Sequence, residues 1–537
     1  MPQYQPFRAP RQHGQATITP PISDAPTLIA NAADGRHLQC TIAGRDLQHW
    51  QQQSRGPLVR AALQYTRQYR DTNHTDAIVM DVGEAPGQRT PIVAAGHQPT
   101  LFHPGVWFKN FALNHIARQH GAVALNLIVD NDLAGPASVR VPVRSNDNGA
   151  ARVVYQSVEY DSANDAVPHE QRRLHSPQIF QSFASRLRMA ADGLVQDPSV
   201  VEFWPHAINA ARRSTATGLV LAEMRHAMEG RLGLQTLELP LSLVCHSAAF
   251  AALVYEIATR ATEFRKTYNR CLMEYRGHHR IRSASHPVPP LGIDGDWIEL
   301  PFWVYSDASP RRTPVWARRA GQHVMLSNHV DWEAECPIAC DDGMQAILNH
   351  LRSGWKLRPR ALVTTMLMRL FFSELFLHGI GGGKYDQLGD QITHAFLGTA
   401  PPPCMVLSAS VLLPGNTGPA SAESLRRLLH QQRQLHWNPD RSVGAPAIPD
   451  SLIAEKQILL QQHATTADRG RWHQRMNQIN TEMRGHTASY QSENAEQIRS
   501  QTQHDQDQAI LSSREHSIVL LPLEHMCSAF QKILHAR

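Results

Sequence analysis

The sequence predicts an α/β protein: a parallel sheet flanked by helices, helical and β connecting segments, and a long strand-poor helical section. Three observations predict it. First, Pro91-Ile-Val-Ala-Ala95 and Ala124 to Val129 are short apolar runs, and Val106 to His120 between them carries helical periodicity. Strand, helix, strand in that order is a βαβ unit, which implies a parallel sheet and a right-handed crossover. Second, the pattern recurs: Ala361 to Leu375 reads as helix, Phe376 to Ile380 as strand, Tyr385 to Phe396 as helix and Cys404 to Leu413 as strand. Third, Ala422 to about Gln508 is rich in Gln, Arg, Glu and His and poor in strand formers.

The elements divide the 537 residues into six stretches. Residues 1–60 form an N-terminal arm, polar and Pro-rich at first, with a helix expected from Leu47 to Tyr69. Residues 61–145 hold the first part of the sheet. Residues 146–345 connect, helical over 171–276 and then period-two, with a hairpin expected from Ile298–Tyr305 and Pro314–Arg318. Residues 346–420 hold the second part of the sheet, 421–510 the helical section, and 511–537 a returning strand (Ser517 to Leu523) and helix. No fixed-period repeat stands out.

Composition excludes several classes. Hydrophobic residues are 42% and charged residues 18%, enough apolar material for a sizeable core. A net charge of +5 over so long a chain does not argue for nucleic acid. The best apolar stretch, Ala361 to Ile380, is broken by Arg369 and Glu374, so no membrane span is expected. The N-terminus lacks the apolar core of a secretory signal. Seven Cys without a C-x-x-C suggest neither a disulfide framework nor a zinc finger, and a reduced, cytoplasmic setting is expected. The chain carries 30 His and only 6 Lys, so each Lys merits individual notice.

Two loops carry candidate chemistry. In open parallel sheets, ligands bind beyond the carboxyl ends of the strands, near helix N-termini. Gly96-His-Gln-Pro-Thr-Leu-Phe-His-Pro-Gly105 lies at such a place. Gly96 and Gly105 permit close backbone approach, Gln98 and Lys109 are candidate ligand-binding groups, and His97 and His103 are candidate acid–base groups. The second loop is His378-Gly-Ile-Gly-Gly-Gly-Lys-Tyr-Asp386, in which Gly381, Gly382, Gly383 and Lys384 suit an anion nest. It is not a P-loop, because the Gly spacing is wrong and Tyr385 replaces the Ser/Thr that would hold magnesium. Asp130 and Asp132, at the tip of the second apolar run, are candidate catalytic carboxylates. Nicotinamide binding is disfavoured, since Gly-x-Gly-x-x-Gly is absent and Asp130 lies well beyond the ~20-residue spacing of a ribose-binding acid. No strong metal spacing occurs. Arg282 and His286 form a third, weaker candidate near a proline-rich connector. The plain structural alternatives are tight turns with surface His and a solvated connector.

Residues 96–109 (GHQPTLFHPGVWFK) resemble the opening motif of the bacillithiol-biosynthesis cysteine-adding enzymes, a strand, a Gly-Gln-Gln, a glycine-bearing loop and a helix with a Lys. Residues 358–386, starting with Arg358, are similar to that family's Arg-Pro segment, helix, short strand and Gly-Gly loop, and 401–413 to its next strand. The resemblance covers nearly the whole chain in order, with specific matches in these patches. It implies a Rossmann-like core, a coiled-coil-like helical domain that pairs two subunits, and a ligase joining an amino-acid carboxylate to an amine of a small molecule with ATP and magnesium. By position, Gly96, Gln98, Gly105 and Lys109 match the first motif, and Gly381, Gly382 and Gly383 the second. His97 stands where the family has Gln, and Val129-Asp-Asn-Asp-Leu133 replaces its Ser-Glu-Asp-His-Asp tip. Two other readings remain open: a metal-dependent transferase acting on a nucleotide-sugar through Asp130 and Asp132, and a non-catalytic dimeric scaffold.

Overall fold

The computed structural model describes every residue except 1–3, 36–38, 77–81, 83–88, 148–149, 283–287, 417, 419–422, 442–447, 463–467 and 537. The chain divides into two compact units, one of residues 1–141, 156–414 and 514–537, the other of 142–155 and 415–513.

Eight strands of the first unit matter for the site: β1 (Gln15–Thr19), β2 (Ile92–His97), β3 (Val123–Ile128), β4 (Leu237–Pro240), β5 (Trp297–Ser306), β6 (Trp355–Pro359), β7 (Leu375–His378) and β8 (Cys404–Ser410). Six of them form one sheet in the order β1-β8-β7-β2-β3-β4. All neighbours are parallel except β1, which pairs antiparallel with β8 at the edge. Helices α1 (Leu47–Arg67), α2 (Pro104–Gln119), α3 (Thr217–Arg231), α4 (Ile380–Leu397) and α5 (Leu523–His535) pack around it. The runs IVAA of β2 and VALNLI of β3 are buried throughout, as sheets covered on both faces require. Ile92, Ala94, Leu125 and Leu239 join one core with α1. Trp107 meets Phe111 and Phe530 edge to face, and Phe111 and Phe530 pack at a tilt between α2 and α5.

At the amino ends of the two central strands, one carboxylate does most of the joining. Glu374 precedes β7 and is buried. It accepts two hydrogen bonds of 2.9 Å from Arg55 on α1, one of 2.8 Å from Arg89 and one of 2.7 Å from the Ile92 amide at the start of β2. The Glu374 amide in turn donates to the Ile92 carbonyl.

A second, antiparallel sheet contains β5 and β6, paired from Phe302↔Pro359 to Ser306↔Trp355. The expected hairpin is present as β5 and Thr313–Ala320, with a bulge between Leu300 and Trp303. The second unit holds helices Glu423–Trp437, Asp450–Gln461, Arg469–His486 and Ala488–Leu511, and a small apolar cluster of Ile448, Ile479 and Met483 joins the second and third of them. No helix among the described residues is long and apolar enough to cross a membrane. The seven cysteines are free thiols.

Several local expectations are corrected. Gly381 to Lys384 are not a loop but the first turns of α4, which starts at Ile380. The glycines are tolerated there because the helix sits directly on the strands: a Cβ on Gly382 would lie 2.7 Å from Nδ1 of His378, and one on Gly383 would strike the Val406 side chain. The expected helix Ala361–Leu375 stops at Leu367 and continues as a wider π turn over Met368–Phe372. Ser517 to Leu523 is not a strand. Ile518 to Leu521 are buried in a turn whose Ile518 amide donates to the Phe102 carbonyl, and short apolar runs do not reveal which structure they adopt. The polar Gln15–Thr19, read as part of an arm, supplies the edge strand.

Glu374→Ala would strand two buried guanidinium groups. We expect a loss of roughly 3–5 kcal/mol in denaturant-unfolding stability, and a smaller one for Glu374→Gln.

Candidate functional site

Numbered along the chain, the parallel strands lie in the spatial order fifth, fourth, first, second, third, so the direction of winding reverses between β2 and β7. The crevice outside the carboxyl ends of strands at such a reversal is where open α/β sheets bind ligands. Gly96, His97 and Gln98 lie at this end of β2, and His378 at this end of β7.

Helix α2 starts beside it. His103 is its N-cap, with Nδ1 accepting from the Gly105 amide at 3.1 Å, and Pro104 occupies the first turn, where a missing N–H costs nothing. Gly105 is required by close packing: a Cβ there would come 2.5 Å from the Ala409 carbonyl of β8 and collide with the Arg514 guanidinium. Arg514 donates to the Ser408 hydroxyl at 2.6 Å and to the Ala409 carbonyl at 2.9 Å.

Lys109, also on α2, is 2% exposed. Its Nζ donates to the Gly96 carbonyl at 2.7 Å, and among the described residues it contacts no carboxylate. Burial, reinforced by the positive charge of Arg225, pulls its pKa down to about 7. The same burial, with Lys109 adding to it, drives His97 to about 3, so the ring is neutral and its Nδ1–H donates to the Gln98 carbonyl at 3.0 Å. His103 is pulled to about 4, chiefly by burial, with Nε2 3.4 Å from Glu515. Arg225 on α3 is neutralised from below by Glu229, at 2.8 Å, and by Glu238 of β4. Glu229 is fixed in turn by Trp107 Nε1 and Asn110, at 2.8 and 2.7 Å.

The acidic side of the site follows β3. The Asp130 carboxylate accepts from the Ser242 amide at 3.0 Å and hydroxyl at 2.5 Å. Burial, and then the nearby Glu170, raise its pKa to about 7. Asp132 behaves oppositely. Burial works to raise it, but hydrogen bonding from Gln98 at 2.9 Å and the charge of Arg312 at 3.0 Å outweigh burial and hold it below the ordinary carboxylate value. Glu170 forms a two-point ion pair with Arg358 of β6 at 2.8 and 3.0 Å and accepts from Tyr305 of β5 at 2.5 Å. Asn131 donates to the Pro359 carbonyl at 2.7 Å, tying the strand tip to the second sheet.

Gly96, His97, Gln98, Lys109, Asp132 and Asp130 thus gather at the ends of β2 and β3, with His103 and Gly105 opening α2 and Arg358 joined through Glu170. Lys384 is exposed on α4, Gly381 has open space where a side chain would be, and Arg282 is exposed after a separate helix. His286 lies outside the described residues. Sequence reasoning missed Arg225, Glu170, Arg312, Ser242 and Arg514, none of which belongs to a motif. The i,i+4 spacing of Arg225 and Glu229 was a weak signal that reads equally as a solvated pair. Asp130 and Asp132 turn to different partners, Ser242 on one side and Gln98 with Arg312 on the other.

No protein-family model and no curated protein matches the chain.

Lys109 has a lowered native pKa, so between about pH 7 and 10.5 the unfolded chain binds more protons there than the folded one. Stability therefore rises with pH across that window, by up to about 1.4 kcal/mol per pH unit from this group. Lys109→Met should remove that component of the slope in urea titrations and should stabilise the protein below pH 7.

Proposed function

We propose that the chain is a Rossmann-like small-molecule enzyme that joins a carboxylate to an amine, with its site at the carboxyl ends of β2 and β3. The observation that carries the reading is Lys109, an ammonium buried beside the winding reversal with a single backbone carbonyl as its partner. Such a group is costly to bury unless an anion completes its surroundings. The N-terminus of α2 and Arg514 supply further positive potential on the same side. This donor set suits a phosphate or carboxylate better than an apolar or cationic ligand.

The residues divide the labour as follows. Lys109, with the positive end of the α2 dipole beside it, holds the anionic group and the charge that develops on it. Asp130, with a pKa raised to about 7, accepts the proton of the attacking amine near neutral pH. Asp132, Gln98 and Arg312 form a fixed polar wall that orients the substrate. ATP, if it is the activating substrate, would phosphorylate or adenylylate the substrate carboxylate with release of ADP or pyrophosphate, and Lys109 would be its phosphate contact. The resemblance to the bacillithiol-type cysteine-adding family supports the same reaction class and leaves the substrate open. The exposed Leu429, Trp437, Ile458 and Leu460 of the helical unit support self-association of that unit into a homodimer.

Isothermal titration calorimetry with ATP, with and without magnesium, tests the reading. Binding to the wild type should weaken about tenfold or more in Lys109→Met, a loss of about 1.4 kcal/mol or more. Lys109→Arg should not restore it, since a planar fork cannot take the position of a compact ammonium. Equal affinity in all three proteins, or no nucleotide binding, would overturn it. Light scattering should give twice the 60.0 kDa chain mass.

A further inference from the structure

The opposite face of the same sheet end holds a second cluster. By strand alternation the His378 side chain lies on the face of Phe376, which belongs to the core shared with α1. His378 ends β7, Cys404 begins the adjacent strand β8, and Asp386 lies on α4. One potential ligand atom from each lies within 4.8 Å of the other two. His378 Nε2 is 2.9 Å from Asp386 Oδ2, and Thr365 fixes the other Asp386 oxygen at 2.6 Å. Both His378 and Asp386 are buried.

We propose that His378, Asp386 and Cys404 form a binding site for a single divalent ion of the zinc type, held by three protein ligands with a fourth position left to water. Imidazole, thiolate and carboxylate together select zinc over magnesium or calcium. Metal–ligand distances of about 2.0–2.3 Å require the three ligand atoms, now within 4.8 Å of one another, to draw together around the ion.

Charge favours the assignment. Arg369 pairs with both Asp386 and, at 2.5 Å, Asp390. One guanidinium therefore faces two carboxylates. Adding a divalent cation and ionising the thiol gives three positive and three negative charges, so the cluster becomes neutral. Without the ion, burial pushes the Cys404 thiol up to about 12, and it stays protonated. Asp390, which shares Arg369 with Asp386, is half-exposed and lines a cleft of about 450 Å³ together with Arg270, Glu274 and His394. Binding ionises the Cys404 thiol, whose proton passes to solvent.

The test uses the full chain, dialysed against zinc and then against cobalt(II). We expect one ion per chain after gel filtration, a thiolate-to-cobalt charge-transfer band, and release of about one proton in calorimetry run in two buffers. Cys404→Ser, nearly isosteric, should lose the band and the proton release while unfolding at the same temperature in chelator. Cys340→Ser, at a cysteine outside the cluster, should retain both. A wild-type chain that shows no thiolate band, or a band that survives Cys404→Ser, would overturn the proposal and leave Arg369 as the cluster's only counter-charge.

Discussion

The buried Glu374 carboxylate fixes the geometry on which the candidate site depends. It joins α1, Arg89, the start of β2 and the approach to β7 through four short hydrogen bonds. Two arginines and one carboxylate removed from water are a poor source of net stability. They are a good source of register, because a one-residue slip of β7 against β2 would break the amide contact and leave the guanidinium groups unpaired. With Leu375 held opposite Val93 and Leu377 opposite Ala95, the other ends of the two strands are determined as well. Gly96–His97 and His378 therefore emerge side by side, at the reversal of the winding.

Most buried cations of this unit have a counter-charge: Arg55 and Arg89 have Glu374, Arg225 has Glu229 and Glu238, Arg358 has Glu170, and Arg369 has Asp386. Arg172 differs, but spreads its charge over three carbonyls. Lys109 has one carbonyl and the repulsion of Arg225. These buried arginines are thus each neutralised or shared among several acceptors, whereas Lys109 is left incompletely solvated where a parallel sheet presents its ligand-binding edge. That asymmetry, more than any motif, distinguishes a candidate site from a tight turn.

Much of this was legible in the sequence. The βαβ unit, the second α/β section, the hairpin and the helical section follow from period and composition, and the loop at 96–105 was recognisable by its glycines and by the scarcity of Lys. What was not legible has identifiable causes. β4 is four residues long, and its Glu238 is a charged side chain that only a buried Arg225 makes tolerable. Gln15–Thr19 is polar because an edge strand has one neighbour and partial exposure. The Gly381–Gly383 triplet read as an anion nest because glycines are common in both settings, whereas here Gly382 and Gly383 make room for His378 and Val406. Glu170, Arg312 and Arg514 reach the site from distant parts of the chain, and no local pattern records such contacts.

The two faces of this sheet end differ in chemistry for a reason rooted in strand alternation. Gly96 contributes only a backbone carbonyl, so the α2 side of the crevice is built from a cation seeking an anion. His378, one residue beyond the last pairing of β7 with β2, contributes a side chain to the face shared with Phe376, where Asp386, Asp390 and Cys404 set negative or ionisable groups around a single arginine. One side is therefore short of negative charge and the other short of positive charge, across the thickness of one strand pair. A bound anion on the first side and a bound cation on the second would each correct the local imbalance. Each would also lower the electrostatic cost of the other, since charges of opposite sign separated by low-dielectric sheet attract. The winding reversal concentrates both deficits at one edge, and Glu374, at the far end of the same two strands, holds them in register.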